Sequence, residues 1–347
     1  MKVFFVLTAL LAVETAVSTK ERIHGENGWY VPKIDGTNEW MDLHKAKKLL
    51  DNVGKILFDA DVSFYLYTRS NPTKGKKIRA SKSSINASYF NKDHPTRFVI
   101  HGWTQNHSDS MNTEITKAWL SRGDYNIIIV DWERARSLNY VSSVIAVPDA
   151  GAKVGEMIKY LHDSHGMCLK SLIVIGHSLG AHVAGYSGKT VGSGRIHTII
   201  GLDPALPLFS YNEPKHRLSS NDAYYVETIH TNGGIFGFLK PIGRSAFYPN
   251  GGIRQPRCGF LGSSNCSHKR SVTYYVEAIT HNSFAAIKCS NYIEVIEMDC
   301  GSTYRHVRMG AVTNANKVEG TFYVPVKRNA PFGYNKLSTD SKRRVFF

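Results

Sequence analysis

The segment Gly176-His177-Ser178-Leu179-Gly180 sets a serine between two glycines, a spacing suited to nucleophilic catalysis. A serine hydroxyl is useful as a nucleophile when a tight strand-to-helix turn lifts it above a sheet, and the flanking glycines let neighbouring backbone close on that turn. The flanks agree: Leu172-Ile173-Val174-Ile175 reads as an apolar strand before it, and Ala181-His182-Val183-Ala184-Gly185 as a close-packed helix after it. Such a serine needs a base and an orienting acid, which in this kind of fold come after it in the order acid, then histidine. Asp203, in Gly201-Leu202-Asp203-Pro204-Ala205, comes directly after an Ile199-Ile200 strand. Its carboxylate therefore sits over the C-terminal edge of the sheet, where α/β sites assemble; loop capping is the plain structural alternative. The histidines beyond it are His216, His230, His268, His281 and His306, and spacing does not choose among them. For the oxyanion, one donor is the backbone N–H of Leu179, the residue after the nucleophile. A second belongs on a loop after an early strand, and His101-Gly102-Trp103 after Phe98-Val99-Ile100 fits.

These residues need a scaffold, and the apolar runs supply one. Segments 98–100, 127–130, 172–175, 199–202 and 224–226 read as strands of a buried, mainly parallel sheet. Between the second and third, residues 148–165 carry Val154, Met157, Ile158 and Leu161 at helical spacing, with Asp149 placed to cap the helix. Alternation of strand, helix and strand predicts an α/β architecture with right-handed crossovers. Upstream, 43–57 has helical spacing, 62–68 alternates as a strand, and 69–97 reads as a Lys-, Ser- and Asn-rich loop. Residues 233–258, rich in Gly and Pro, read as a long surface loop near the site. No linker composition or internal repeat divides the chain, so one large domain over 19–347 is expected.

Composition sets the outer bounds. In 347 residues, 42% hydrophobic and only 20% charged side chains describe a chain able to bury a sizeable core, which excludes global disorder and coiled coil. The formal charge of +15 bears on association and not on fold. It is concentrated in 69–97 and 321–347, away from the candidate catalytic residues. That placement points to docking on an anionic membrane or polysaccharide surface, with ordinary solvated loops as the alternative. A nucleic-acid role has no supporting motif. At the N-terminus, Met1-Lys2, an apolar run to Val13 and small residues up to Ser18 have the order of a secretory signal cleaved after residue 18. Export makes the five cysteines readable as disulfides. Cys258 with Cys266 and Cys289 with Cys300 are the near pairs in sequence, although sequence alone leaves connectivity open; Cys168 is expected to be a free, buried thiol at a strand entrance. Asn86, Asn106 and Asn265 fit the glycan acceptor pattern. No Cys-x-x-Cys or His/Cys cluster has ligand spacing, so zinc is not expected, and acyl transfer through a serine implies no metal or organic cofactor.

Taken together, His-Ser-Leu-Gly-Ala-His from His177, Gly-Leu-Asp-Pro-Ala from Gly201, Phe-Tyr-Pro-Asn-Gly-Gly from Phe247, Gln-Pro-Arg-Cys-Gly from Gln255 and Cys-Ser-His from Cys266 resemble the pancreatic lipase family. The resemblance runs over about 65–333, without that family's C-terminal β-sandwich domain. It implies an α/β-hydrolase fold, Ser178 as nucleophile, Asp203 as acid and His268 as base. It also implies Trp103 as the second oxyanion donor, and the pairings Cys258–Cys266 and Cys289–Cys300. In such lipases the bridge before the catalytic histidine closes the lid, and here it encloses only 259–265. Seven residues cannot form a long amphipathic helix, a shortening that resembles the phospholipase A1 branch. The expected activity is therefore that of a secreted lipase leaning to phospholipase A1, acting on glycerolipid at a lipid surface. Triacylglycerol or broad acylglycerol hydrolysis is the runner-up. A non-catalytic storage or lipid-carrying role is set against the presence of all three catalytic residue types.

Overall fold

The computed structural model describes residues 21–53, 61–259, 264–300 and 304–335; the expected signal segment 1–18 lies outside them. Among the described residues, a two-stranded hairpin, β1 (Gly28–Pro32) and β2 (Asn38–Asp42), leads into α1 (Leu43–Val53). The remainder builds around an eleven-stranded sheet. Its strands are β3 (Val62–Tyr67), β4 (Lys76–Ile78), β5 (Thr96–Ile100), β6 (Asn126–Trp132), β7 (Ile173–His177), β8 (Thr198–Leu202), β9 (Tyr225–Ile229), β10 (Ser245–Pro249), β11 (Ala285–Cys289), β12 (Tyr304–Arg308) and β13 (Gly320–Val324). The spatial order is β12-β11-β13-β10-β9-β8-β7-β5-β6-β3-β4. Pairing is parallel from β6 through β13 and antiparallel at both ends. The helices are α2 (Lys82–Asn86), α3 (Ser110–Arg122), α4 (Tyr140–His165), α5 (Leu179–Val191), α6 (Ser264–His281) and α7 (Tyr292–Ile296). This is the α/β-hydrolase arrangement expected from the sequence.

The central strands are apolar without alternation because both faces are covered. Phe98, Ile100, Ile128 and Val130 pack with Val147, Val154 and Ile158 of α4 and Val183 of α5. Val99, Ile127 and Ile129 point the other way, to Ile115 and Trp119 of α3 and Tyr275 of α6. Side chains alternate across a pleated strand, so each apolar residue fills one of two cores. Burial of each is worth about 1.5–3 kcal/mol, which fixes strand register and therefore where the strand ends fall. No helix among the described residues is long and apolar enough to cross a membrane.

Several expectations are corrected. The helix expected at 148–165 begins at Tyr140, runs through Pro148, and is capped by Asn139, whose side chain accepts from Val141 N; Asp149 is an interior residue. Packing against α5 outweighs the proline: a Cβ built on Gly151 would stand 2.2 Å from Tyr186 Cβ, and one on Gly155 2.6 Å from Thr190 Cβ. Helix 43–57 is seen to Val53, and 54–57 lie outside the described residues. The loop expected at 69–97 contains β4, α2 and the start of β5. Residues 233–258 are not only surface loop, since β10 lies within them and is buried throughout. Its lack of alternation reflects two covered faces. Cys168 is free as expected but exposed, because it caps a 3-10 turn at Leu169–Ser171 before the strand starts. Arg97 does not belong to the surface charge of its segment. Its buried guanidinium donates to Thr96 O and Ser171 O and lies over the Trp119 and Tyr125 rings.

Candidate active site

The site gathers at the C-terminal ends of the parallel strands. Strand β7 runs straight into α5, and Ser178 at the junction has φ +56° and ψ −122°, a region residues with a side chain rarely adopt. The flanking glycines explain how the strain is held. A Cβ on Gly176 would lie 2.1 Å from Gly180 O, and one on Gly180 2.3 Å from Ile100 O and 2.5 Å from His101 O. Neither position admits a side chain. Backbone bonds lock the turn, from Ser178 N to Leu202 O at 3.0 Å and from Ala181 N to Ser178 O at 3.1 Å. Leu179 opens α5, where first-turn N–H groups lack intrahelical acceptors and the helix dipole favours negative charge.

Asp203 comes after β8 with no exposed surface and its own positive φ of +43°. One carboxylate oxygen, Oδ1, accepts from Thr231 N at 2.7 Å and Asn232 N at 3.0 Å. The other, Oδ2, lies 2.6 Å from His268 Nδ1. With Oδ1 taken by two backbone donors, Oδ2 acts as the acceptor toward the ring, which places the imidazole proton that faces it on Nδ1. Nε2 is then left with a free lone pair. Gly237 packs against this carboxylate so closely that a Cβ there would be 2.5 Å from Oδ1.

Of the five histidines that spacing left open, His268 is the one whose ring meets Asp203 among the described residues. His216 is exposed on a 3-10 turn near Glu213. His230 is buried against Phe238 O and Thr228 Oγ1 and stacks on Tyr248, and His281 bonds Thr280 Oγ1. The side chain of His306 lies outside the described residues. His268 is carried by α6 two residues after Cys266, whose disulfide to Cys258 ties the start of the helix to the preceding loop. Gln255 reinforces that tie: its backbone N–H donates to the Ser267 hydroxyl oxygen at 3.0 Å, and its Nε2 donates to Thr231 O and Pro249 O. The second disulfide, Cys289–Cys300, also forms, away from the site between β11 and the segment after α7.

The expected second oxyanion segment passes directly over the serine. A Cβ on Gly102 would be 2.9 Å from Ser178 Cβ. Several bonds fix the loop: Gly102 N to Gln105 Oε1 at 3.0 Å, Thr104 N to Ala135 O at 2.7 Å, Trp103 Nε1 to Ser137 O at 2.7 Å and Trp132 Nε1 to His101 O at 3.0 Å. His101 is a packed residue, with Nε2 3.2 Å from Asp131 Oδ1. Burial opposes the charge on Asp131, but hydrogen bonds from His101 and His107 and the nearby Arg136 hold its carboxyl down at about 2.

Ser178, His268 and Trp103 line one cleft of about 840 Å³. Among the described residues Ser178 makes no hydrogen bond to the His268 ring, a contact that in hydrolases often tightens only with substrate bound. Two neighbours were not assigned roles by the sequence. The His177 ring lies 4.5 Å from that of His268, and burial and the neighbouring imidazole push it well below its ordinary value. Phe236 meets the His268 ring edge-on at 5.8 Å. His182, within the serine motif, is structural: Leu218 N donates to Nδ1 at 3.0 Å, so Nε2 carries the proton and donates to Ala205 O at 2.7 Å. Burial lowers its pKa to about 3.

The chain's relatives fit this geometry. Over 304 residues it is 33% identical to phospholipase A1 of Vespula vulgaris, covering 83% of this chain and 89% of that protein. It is 34% identical to pancreatic triacylglycerol lipase of Cavia porcellus over 263 residues, and 34% to human pancreatic lipase-related protein 2 over 266. Those matches cover 69% and 70% of this chain but 56% of each relative, so the chain spans little more than half the length of those two proteins. The family model described as Lipase matches residues 33–332, and the chain belongs to the lipase family.

Proposed function

We propose that this protein hydrolyses carboxylic esters of glycerolipids by acyl transfer through Ser178. The observation that carries the reading is the convergence, in one cleft, of a serine on a strained elbow and an imidazole whose Nδ1 proton is held by a buried carboxylate. His268 Nε2 takes the Ser178 proton as the hydroxyl attacks the ester carbonyl, and Asp203 stabilises the imidazolium that forms. The N–H groups of Leu179 and Trp103 receive the oxyanion, each worth about 3–4 kcal/mol of barrier. The imidazolium then protonates the leaving alcohol, and water, activated by the same base, releases the fatty acid. No step in this scheme calls for a cofactor.

Within that class the reading is phospholipase A1. The segment closed by Cys258–Cys266 is too short for the apolar helix that would bury the site deeply, and the relative named phospholipase A1 matches along most of both chains. Turnover of phosphatidylcholine, galactolipid and triolein measured side by side tests it: phosphatidylcholine is expected to be cleaved at sn-1, and activity on triolein alone overturns the preference. An extracellular location agrees with the two disulfides, which persist in oxidising compartments. Docking on anionic membrane or polysaccharide is supported by the exposed Lys74, Lys76, Lys77 and Lys82, although lysines on the edge strand β4 also protect that edge from pairing.

A further inference from the structure

Seven residues separate Cys258 from Cys266, too few for a long amphipathic helix, so the other walls of the cleft bear on how it meets a lipid aggregate. One of those walls is the N-terminal hairpin. Pro32, Lys33, Ile34, Gly36 and Asn38, all at the β1–β2 turn, line the same cavity as Ser178 and His268. The hairpin is not a loose appendage, because Trp29, Val31 and Met41 are buried in the core shared with α4 and α5. Its tip is closed by Lys33 N to Thr37 O at 2.8 Å and Gly36 N to Lys33 O at 3.1 Å, with Asp35 Oδ1 accepting from Thr37 N and Oγ1. Gly36 at φ +84° makes that turn, and a Cβ built there meets nothing within 4 Å. The tip is therefore ordered and stands in open space.

His24 pins the hairpin to the site. Tyr30 N donates to His24 Nδ1 at 2.9 Å, so the ring, kept neutral by burial, carries its proton on Nε2 and donates to Ile235 O at 2.9 Å. Ile235 precedes Phe236, whose ring packs on His268. On this rigid lip Ile34 is 56% exposed. Leu138, between Ser137, which holds the Trp103 indole, and Tyr140 of the cavity wall, is 74% exposed. Exposed aliphatic side chains thus stand on two elements that wall the cleft. Lys33 beside Ile34 is paired with Glu39 at 3.2 Å, and Asp35 on its other side is exposed, so Ile34 is the aliphatic side chain of an otherwise polar tip.

We propose that the β1–β2 hairpin is a fixed lip of the cleft and that Ile34 at its tip enters the acyl layer of a lipid aggregate, seating the cleft on its substrate surface. The proposal rests on the glycerolipid reading above. Transferring an isoleucine from water into an acyl layer is favourable enough to change partitioning about tenfold or more. The test uses Ile34→Asp, with Ile34→Ser as the milder second variant. One readout is sedimentation with phosphatidylcholine vesicles, in the Ser178→Ala background so that the vesicles stay intact. The other is the ratio of turnover on those vesicles to turnover on soluble p-nitrophenyl butyrate. Both quantities are expected to fall about tenfold or more for Ile34→Asp, and less for Ile34→Ser. Either quantity remaining within twofold of the unsubstituted value overturns the proposal. If the unsubstituted chain cleaves neither ester, the glycerolipid reading fails, while the vesicle partitioning still decides whether the hairpin is a lipid-contacting lip.

Discussion

Replacing Asp203 by asparagine removes a charge while keeping the shape of the side chain, and its effect can be worked out from the hydrogen bonds of the site. In the native site Oδ1 accepts two backbone N–H groups and Oδ2 accepts the Nδ1 proton of His268. An asparagine has one acceptor oxygen and one donor NH2. Keeping the oxygen on Thr231 N and Asn232 N preserves two hydrogen bonds, and the NH2 then faces His268 Nδ1. That arrangement forces the imidazole into the other tautomer, with its proton on Nε2, where it cannot accept the proton of Ser178. Turning the amide around leaves two buried N–H groups facing a donor, at roughly 1–3 kcal/mol each, so the flipped tautomer is the favoured outcome. Loss of a correctly oriented base in such a triad costs about 10⁴ in kcat, or about 5.4 kcal/mol at about 1.36 kcal/mol per decade. The assay is kcat on p-nitrophenyl butyrate across pH, with thermal melting as a control for folding. A folded Asp203→Asn variant within tenfold of the unsubstituted enzyme would refute the reasoning.

The other predictions come from single contacts. Gly237→Ala sets a methyl group 2.5 Å from Asp203 Oδ1, so kcat on the soluble ester is expected to fall at least tenfold, and an unchanged rate shows that the loop yields without moving the carboxylate. Stability is expected to fall on acidification from pH 7 to 5. Burial lowers the folded-state pKa of His177 and His182, a contribution fully present above the unfolded value of about 6.5 and lost as pH drops. Glu227 works in the opposite sense, because burial raises its carboxyl to about 7 and stabilisation from its neutral form grows as pH falls toward the unfolded value. Burial also lowers His24, His197 and His230 and raises Asp222, so lowered imidazoles outnumber raised carboxyls and unfolding takes up protons on balance, at roughly 1.4 kcal/mol per pH unit for each net proton; a melting temperature that rises between pH 7 and 5 would contradict this. Binding to anionic vesicles, if it uses the exposed lysines around β4, weakens as ionic strength rises, and salt-independent binding removes the docking role.

Much of the site was legible because its residue types are dictated by hard contacts. Gly176 and Gly180 leave no space for a side chain, and parallel strands buried on both faces show as unbroken apolar runs, so β5 to β9 could be read to within a few residues. Asp203 was legible for the same reason, as the residue that ends a buried strand. His268 was not, because the distance from β8 to α6 depends on loops and a disulfide that leave no periodic signal; only its motif context singled it out. The amides of Thr231 and Asn232 are backbone groups and have no residue-type signature. Pro148 misled the helix boundary because the close packing of α4 on α5 through Gly151 and Gly155 outweighs a missing hydrogen bond. Arg97 shows the limit of counting charge along a sequence, since its guanidinium faces inward against two aromatic rings.

The most direct test of the central claim is covalent labelling with a fluorophosphonate probe and mapping of the modified peptide. The account predicts a stoichiometric adduct on Ser178 in the folded protein, abolished by Ser178→Ala and slowed by Asp203→Asn. A folded protein that takes no label, or takes it on another residue, would contradict it.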